Sequence, residues 1–323
     1  MRYLHDVMER FGLSDSYCLF DRASREALGG ISHAEALRRL RSAPLLLNVM
    51  GYLDDEELLA AAPFRVFLDI DPGFPQLWRE LGLHDAFAGH DAFVTVGGNM
   101  GRAGCTVPTC GLSWITTRPP VVLEHWPVAD SPPARRFTSV GAWRGPYGPI
   151  EHDGRLYGLR VHEFRRFAGL PGLVAADFEL ALDIDPAEER DLDLLRTHGW
   201  HLVDPASVAC TPASYREYIA GSTAELMVAK GMYVESGSGW FSDRSACYLA
   251  SGRPALVQDT GLAGLYPVGE GLLAFGTLDD AVAGAEEIVA HYQRHAQAAR
   301  AIAEELFDSD RVLGTLLAAL GVP

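Results

Sequence analysis

The sequence predicts an α/β protein of two domains, each built on a parallel sheet, facing each other across a cleft. Three observations predict it. From Leu45 onward, short apolar runs alternate with helix-like runs, and several end in Gly or Asp. A proline-rich polar tract over 124–135, EHWPVADSPPAR, reads as a linker and divides the chain into domains of 1–130 and 131–323. The stretch 232–261 reads as strand, glycine/serine turn, helix and strand, a unit that concentrates backbone N–H groups at one spot.

Composition narrows the function. The chain has 323 residues, 48% hydrophobic and 22% charged, as in ordinary globular proteins. A formal net charge of −16 argues against nucleic acid or an anionic membrane as the main partner, since both favour a basic surface. No apolar run approaches the roughly 20 residues of a membrane helix. The N-terminal MRYLHDVMERFGL is amphipathic and carries acids, unlike a signal or transit peptide, so a cytoplasmic location is expected. The five cysteines form no even framework. Cys105 and Cys110 lack a second pair, so reduced thiols are expected and no metal site.

Residues 1–44 read as helical. Leu4, Val7, Met8 and Phe11 form a stripe ended by Gly12, and Ser32 caps a second helix over 33–40. Strands follow at 45–49, 65–68, 93–96 and 112–115, with a helix over 54–62 stopped by Pro63. In an open parallel sheet the C-terminal strand ends face the ligand. That places Asp69, Asp71, Gly97, Gly98, Asn99, Thr116 and Thr117 on the ligand edge. His90 and Asp91 precede their strand, so this pair is not read as a catalytic dyad.

In the second half, a strand from Phe137 runs into Gly141, Trp143 and Arg144. Strands at 178–184 and 199–203 end in Asp-Pro, with Asp204 after the second, and helices are expected over 162–167, 188–198, 214–220 and 225–230. In the central stretch, 232–234 reads as a strand. Glu235, Ser236, Gly237, Ser238 and Gly239 read as the turn, with Ser242 or Asp243 capping a helix that Gly252 and Pro254 end. The positive end of that helix and the amides of the turn would favour an anion such as a diphosphate. A last strand ends at Phe275, and Thr277 opens a capping box with Asp280 before helices over 278–305 and 310–320. His291 and His295, four apart, read as a solvated helix face rather than a metal pair.

The segments GWFSDR at 239–244, YLASGRP at 248–254 and DTG at 259–261 resemble the C-terminal donor-binding domain of GT-B glycosyltransferases, and the likeness extends over roughly 137–317. The resemblance implies two Rossmann-like domains across a cleft. It also implies that a glycine-rich loop and helix start hold the diphosphate of a nucleotide sugar. Two departures stand out. The chain begins without a strand and glycine-rich loop, so the first strand of the N-terminal domain is either missing or replaced. Many retaining members carry an acid five positions before the glycine matched by Gly252. Here that position is Cys247, so the ribose-binding carboxylate is absent or moved to Asp243 or Glu235.

The expectation is therefore transfer of a sugar from a nucleotide-diphosphate sugar to a small-molecule or glycan acceptor, with no cofactor beyond the donor itself. The donor-binding candidates are Gly141, Arg144, residues 235–239, Ser242, Asp243 and Arg244, with Arg144 and Arg244 supplying charge. Gly97, Gly98 and Asn99 are assigned to the acceptor side. Asp71, then Asp69, is the candidate general base. Asp204 is expected near the base of the nucleotide. The rival readings are a catalytically impaired relative that binds or regulates a partner, and a nucleotide-sugar epimerase on the same scaffold.

Overall fold

The computed structural model describes residues 2–128 and 135–322. An N-terminal helix, Arg2–Arg10, precedes an antiparallel hairpin of β1 (Cys18–Phe20) and β2 (Ala27–Gly30). The sequence reading took this region as helical throughout. The strands are three and four residues long, the first half-buried and the second largely exposed, so they carry little apolar signal. The hairpin stands apart from the sheet that follows and does not replace its first strand.

The first sheet is four-stranded and parallel, in sequence order: β3 (Leu46–Val49), β4 (Arg65–Asp69), β5 (Ala92–Thr95) and β6 (Trp114–Thr116). Side chains alternate across it. One face carries Phe67, Phe93 and Trp114, which pack edge-on around Phe87. The other carries Leu45, Leu47, Val66, Leu68, Val94 and Ile115, which meet Leu316 and Leu320 near the C-terminus. The helix Ser309–Ala319 therefore returns across the molecule to cover the first sheet. Val121 and Asp308 pair where it crosses.

The second sheet is six-stranded. Its members are β7 (Arg136–Ala142), β10 (Asp177–Asp183), β11 (His201–Val203), β12 (Ala224–Met227), β13 (Ala255–Gln258) and β14 (Leu272–Phe275). Between β7 and β10 lies an antiparallel hairpin of β8 (Ile150–His152) and β9 (Arg155–Tyr157). The sheet is parallel in the order β11-β10-β7-β12-β13-β14. Numbered by appearance in this sheet, that is the doubly wound order 3-2-1-4-5-6, whose direction of winding reverses between β7 and β12. A ligand crevice is expected at the C-terminal ends of those two strands.

Here the central stretch departs from its reading. Residues 225–230 were expected as a helix and 232–234 as a strand; the structure reverses them. Ala-Glu-Leu-Met are helix formers, yet β12 is buried along its whole length. Position in the sheet overrides propensity. Residues Gly231–Ser236 are a short helix closed by Gly237 in the left-handed conformation, φ +58°. Ser242 does cap the helix Asp243–Ala250 as expected, its side chain accepting from the Arg244 N–H. The long helix expected over 278–305 breaks at His291 into Leu278–Ala290 and Tyr292–Leu306. His295 is fully buried, its Nδ1 accepting from the Gly271 N–H, which corrects its reading as a solvated residue.

The two sheets share a core. Phe74, Leu77 and Val96 from the first half pack in one apolar cluster with Met232, Tyr233, Trp240 and Phe241 from the second. Among the described residues no helix is long and apolar enough to cross a membrane.

Candidate functional site

A cavity of about 450 Å³ lies between the C-terminal ends of the first sheet and the switch point of the second. Its second-domain wall carries three cations. Arg160 opens the helix Arg160–Arg166, Lys230 follows β12, and Arg244 lies in the first turn of Asp243–Ala250.

Arg160 is 9% exposed, its Nε is buried without a partner, and no hydrogen bond or ion pair reaches its guanidinium from the described residues. Burial, then repulsion from Arg244, pulls its pKa down to about 9. Arg244 lies 3.8 Å from the exposed Asp243, and the buried carboxyl of Glu225 also acts on it. Burial also lowers the Lys230 pKa, opposed by Asp71. Placing like charges together out of water costs free energy unless an anion joins them. An anion with several acceptor oxygens placed in the cavity would offset that cost.

Asp71 faces these cations from the first sheet. Its carboxylate accepts from Lys230 Nζ at 2.7 Å and from the Tyr233 hydroxyl. Asp69 stands behind it, fully buried. Its oxygens accept from Gln76 Nε2 and Thr95 Oγ1, each at 2.8 Å, and from the Asp71 N–H at 3.0 Å. Burial lifts its pKa to about 6. Asp69 holds the loop that presents Asp71 and has no face of its own toward the cavity. Gly73, in that loop, has φ +111°, and a Cβ there would meet Met232 Sδ at 2.5 Å.

The glycine/serine turn is not the open cradle expected of it. Its N–H groups are spent internally: Gly237 donates to Val234 O, Ser238 to Tyr233 O and Gly239 to Thr260 O. Its carbonyls bind the opposite domain. Asn99 Nδ2 donates to Gly237 O at 3.0 Å and to Gly261 O at 2.7 Å, the Asn99 N–H to Ser238 O and the Thr106 N–H to Ser236 O. Ser236 and Ser238 are buried, and Glu235 points to solvent. Gly98 also sits in this seam, packed against Leu265, while Gly97 packs on Pro72 of its own domain. The turn, Gly98 and Asn99 thus hold the domains together rather than lining the cavity.

Other candidates separate similarly. Arg144 pairs with Glu188, away from the cavity. Gly141 lies beside Arg160: a Cβ on it would fall 1.9 Å from Nη1. Asp204 caps a short helix through the Ala206 N–H. His90 bonds Asn48 while Asp91 pairs with Arg65, so they form no dyad. Sequence reasoning missed Arg160, Lys230, Tyr233 and Trp240. Only the switch-point rule applied to the correct strands would have singled out Arg160 and Lys230. Trp240 stacks on Tyr233 at 4.2 Å and donates to Ile70 O, bridging the domains at the cavity.

A second cavity, of about 390 Å³, shares Asp243 and Arg244 with the first. Trp126 and Tyr215 line it edge-to-face, together with Cys247, and the Tyr215 hydroxyl is buried without a partner among the described residues. Among the described residues no three His, Cys, Asp or Glu are grouped to hold a metal ion.

A six-stranded doubly wound sheet facing a second parallel sheet across such a cavity defines the GT-B class of fold. Solved structures agree. The chain superimposes on sucrose-phosphate synthase from Thermosynechococcus elongatus with a TM-score of 0.55 at 12% identity, covering 95% of this chain and 87% of that one. Anabaena HepE in complex with UDP-glucose matches with a TM-score of 0.57 at 12% identity, over 89% and 81% of the two chains. AviGT4, a glycosyltransferase involved in avilamycin A biosynthesis, matches with 0.54 at 14% identity, over 88% and 77%. No protein-family model and no curated protein sequence matches the chain.

Proposed function

We propose that the protein transfers a sugar from a nucleotide-diphosphate sugar to the hydroxyl of an acceptor. The observation that carries this reading is the set of three cations, Arg160, Lys230 and Arg244, facing one cavity at the switch point. The diphosphate sits among them, and their charge stabilises it as it leaves, without a metal ion in the step. The nucleoside extends past Arg244 into the second cavity, against the contacting rings of Trp126 and Tyr215. Its likeness in fold to HepE, solved with UDP-glucose, supports this reading.

Asp71 is the general base. In the resting protein it is held by Lys230. A diphosphate drawing Lys230 to itself frees the carboxylate to take the acceptor's proton. Asp71's engagement also favours a second reading, a homologue that binds nucleotide without turnover.

Thermal shift with UDP, GDP, TDP and ADP tests the site: the preferred diphosphate raises Tm. Arg244→Ala abolishes that rise while the fold persists. No rise with any nucleotide removes the proposal. A rise without slow hydrolysis of any matching donor sugar favours the binding homologue.

A further inference from the structure

The cavity has two unlike halves. Opposite the cations, its floor is one face of the first sheet. Leu47, Leu68, Ile70 and Val96 line it, and by the two-residue alternation of strands they share the face that carries Leu45, Val66 and Val94. The helix Ser309–Ala319 packs Leu316 on the start of that face, and Leu316 also lines the cavity. Val312 and Leu313 form the rim, and Leu313 and Ile70 are each 42% exposed. A parallel sheet ordinarily has both faces covered. This end of the face is left to whatever occupies the cavity.

Polar groups are scarce there. Thr117 contributes a hydroxyl, and Arg118 is turned away, its guanidinium over the Tyr266 ring and donating to Leu265 O at 3.4 Å. A sugar acceptor would bury several hydroxyls without partners, each of which weakens binding. An apolar skeleton would cover Leu47, Leu68 and Leu313 at no such cost.

Building on the proposed transfer reaction, we propose that the acceptor is an alcohol or phenol on an apolar carbon skeleton. The skeleton lies on the open face of the first sheet with its hydroxyl toward Asp71. The hydroxyl oxygen forms the new bond to the anomeric carbon. The bond from that carbon to the diphosphate oxygen breaks with its electron pair leaving on the diphosphate, and the hydroxyl proton passes to Asp71.

The test is calorimetric titration of the full chain with 2-naphthol, dodecan-1-ol, glucose and maltotriose, alongside nucleoside diphosphates. 2-Naphthol or dodecan-1-ol binds the wild type and binds Leu313→Glu about tenfold or more weakly. Leu313→Glu keeps wild-type Tm, because the residue is 42% exposed on a helix surface. Leu47→Gln, from the sheet side, weakens the same ligand. Preference for the ring or the chain identifies an aromatic aglycone or an aliphatic lipid alcohol as the source. Binding of maltotriose or glucose without the apolar alcohols overturns the proposal, as does binding of none of the four. Apolar binding unchanged in both variants overturns it too. Loss of nucleotide binding alone, with the apolar ligands behaving as stated, removes the donor reading and leaves the apolar site standing.

Discussion

The guanidinium of Arg160 lies against the backbone of Gly141, so close that a Cβ there would fall 1.9 Å from Nη1. The end of β7 lacks a side chain where a buried cation from the next helix must pass. The glycine's φ is outside the left-handed region, so its backbone would admit alanine; the space would not.

Gly141→Ala therefore displaces Arg160 rather than straining β7. We expect nucleoside-diphosphate affinity to fall about tenfold or more, as in Arg160→Ala. The double variant should bind no more weakly than Arg160→Ala alone, since both changes remove one contact. Full additivity in calorimetric titration would show that Gly141 acts by some other route.

Asp71 and Lys230, joined at 2.7 Å, should respond in opposite directions. Asp71→Asn releases Lys230, so diphosphate binding holds or tightens while turnover drops by about 10²–10⁴. Lys230→Met weakens diphosphate binding and leaves a carboxylate without its cation. Parallel loss of binding in both variants would assign the pair to stability alone.

Glu225 gives a pH signature. It is buried in β12, its Oε2 has no hydrogen-bond partner among the described residues, and burial raises its pKa to about 7, with Ser245, Arg244 and Arg160 pulling the other way. A carboxyl whose folded pKa exceeds its unfolded value holds more protons when folded. Its contribution to stability is present below about 4.5 and is lost as pH rises toward 7. Glu225→Gln should raise stability at pH 8 by roughly 1–3 kcal/mol and flatten the fall between pH 5 and 7. The slope persists in part, because Asp69 shifts in the same sense, to about 6. Removing a negative charge near the arginines should also tighten diphosphate binding. Chemical denaturation at pH 5, 6, 7 and 8 measures the first effect, and an unchanged slope would refute it.

How far the site was legible follows from what each residue must do. Strands β3, β4, β5, β7 and β13 are short apolar runs with clear stops, and periodicity finds them. Strand β12 hides because Ala-Glu-Leu-Met carries no β-branched residue and its glutamate is buried. Misplacing it moved the switch point, and Lys230 fell inside a supposed helix. Arg160 was invisible for a related reason: the β8–β9 hairpin separates it from β7, so chain proximity favoured Arg144. Asp71 was legible because a strand-end carboxylate needs only the edge rule. The turn at 236–239 misled because Gly-Ser repeats fit either an anion cradle or a close approach between backbones. Only the partners of its carbonyls decide between them.

Those carbonyls supply a last prediction. Asn99 Nδ2 donates to Gly237 O and Gly261 O, and a Cβ on Gly261 would lie 2.7 Å from that same nitrogen. One side chain thus ties the first domain to two turns of the second. Asn99→Ala leaves two carbonyls without it and should cost about 1–3 kcal/mol of stability. The cations of the cavity sit on other elements, so diphosphate affinity, measured below the lowered Tm, should stay within about twofold of the wild type. Asn99→Asp should be worse than Asn99→Ala, because it sets a carboxylate against two carbonyl oxygens. If Asn99→Ala instead abolished diphosphate binding at unchanged stability, the turn would belong to the donor site after all, and the division drawn between seam and cavity would be wrong.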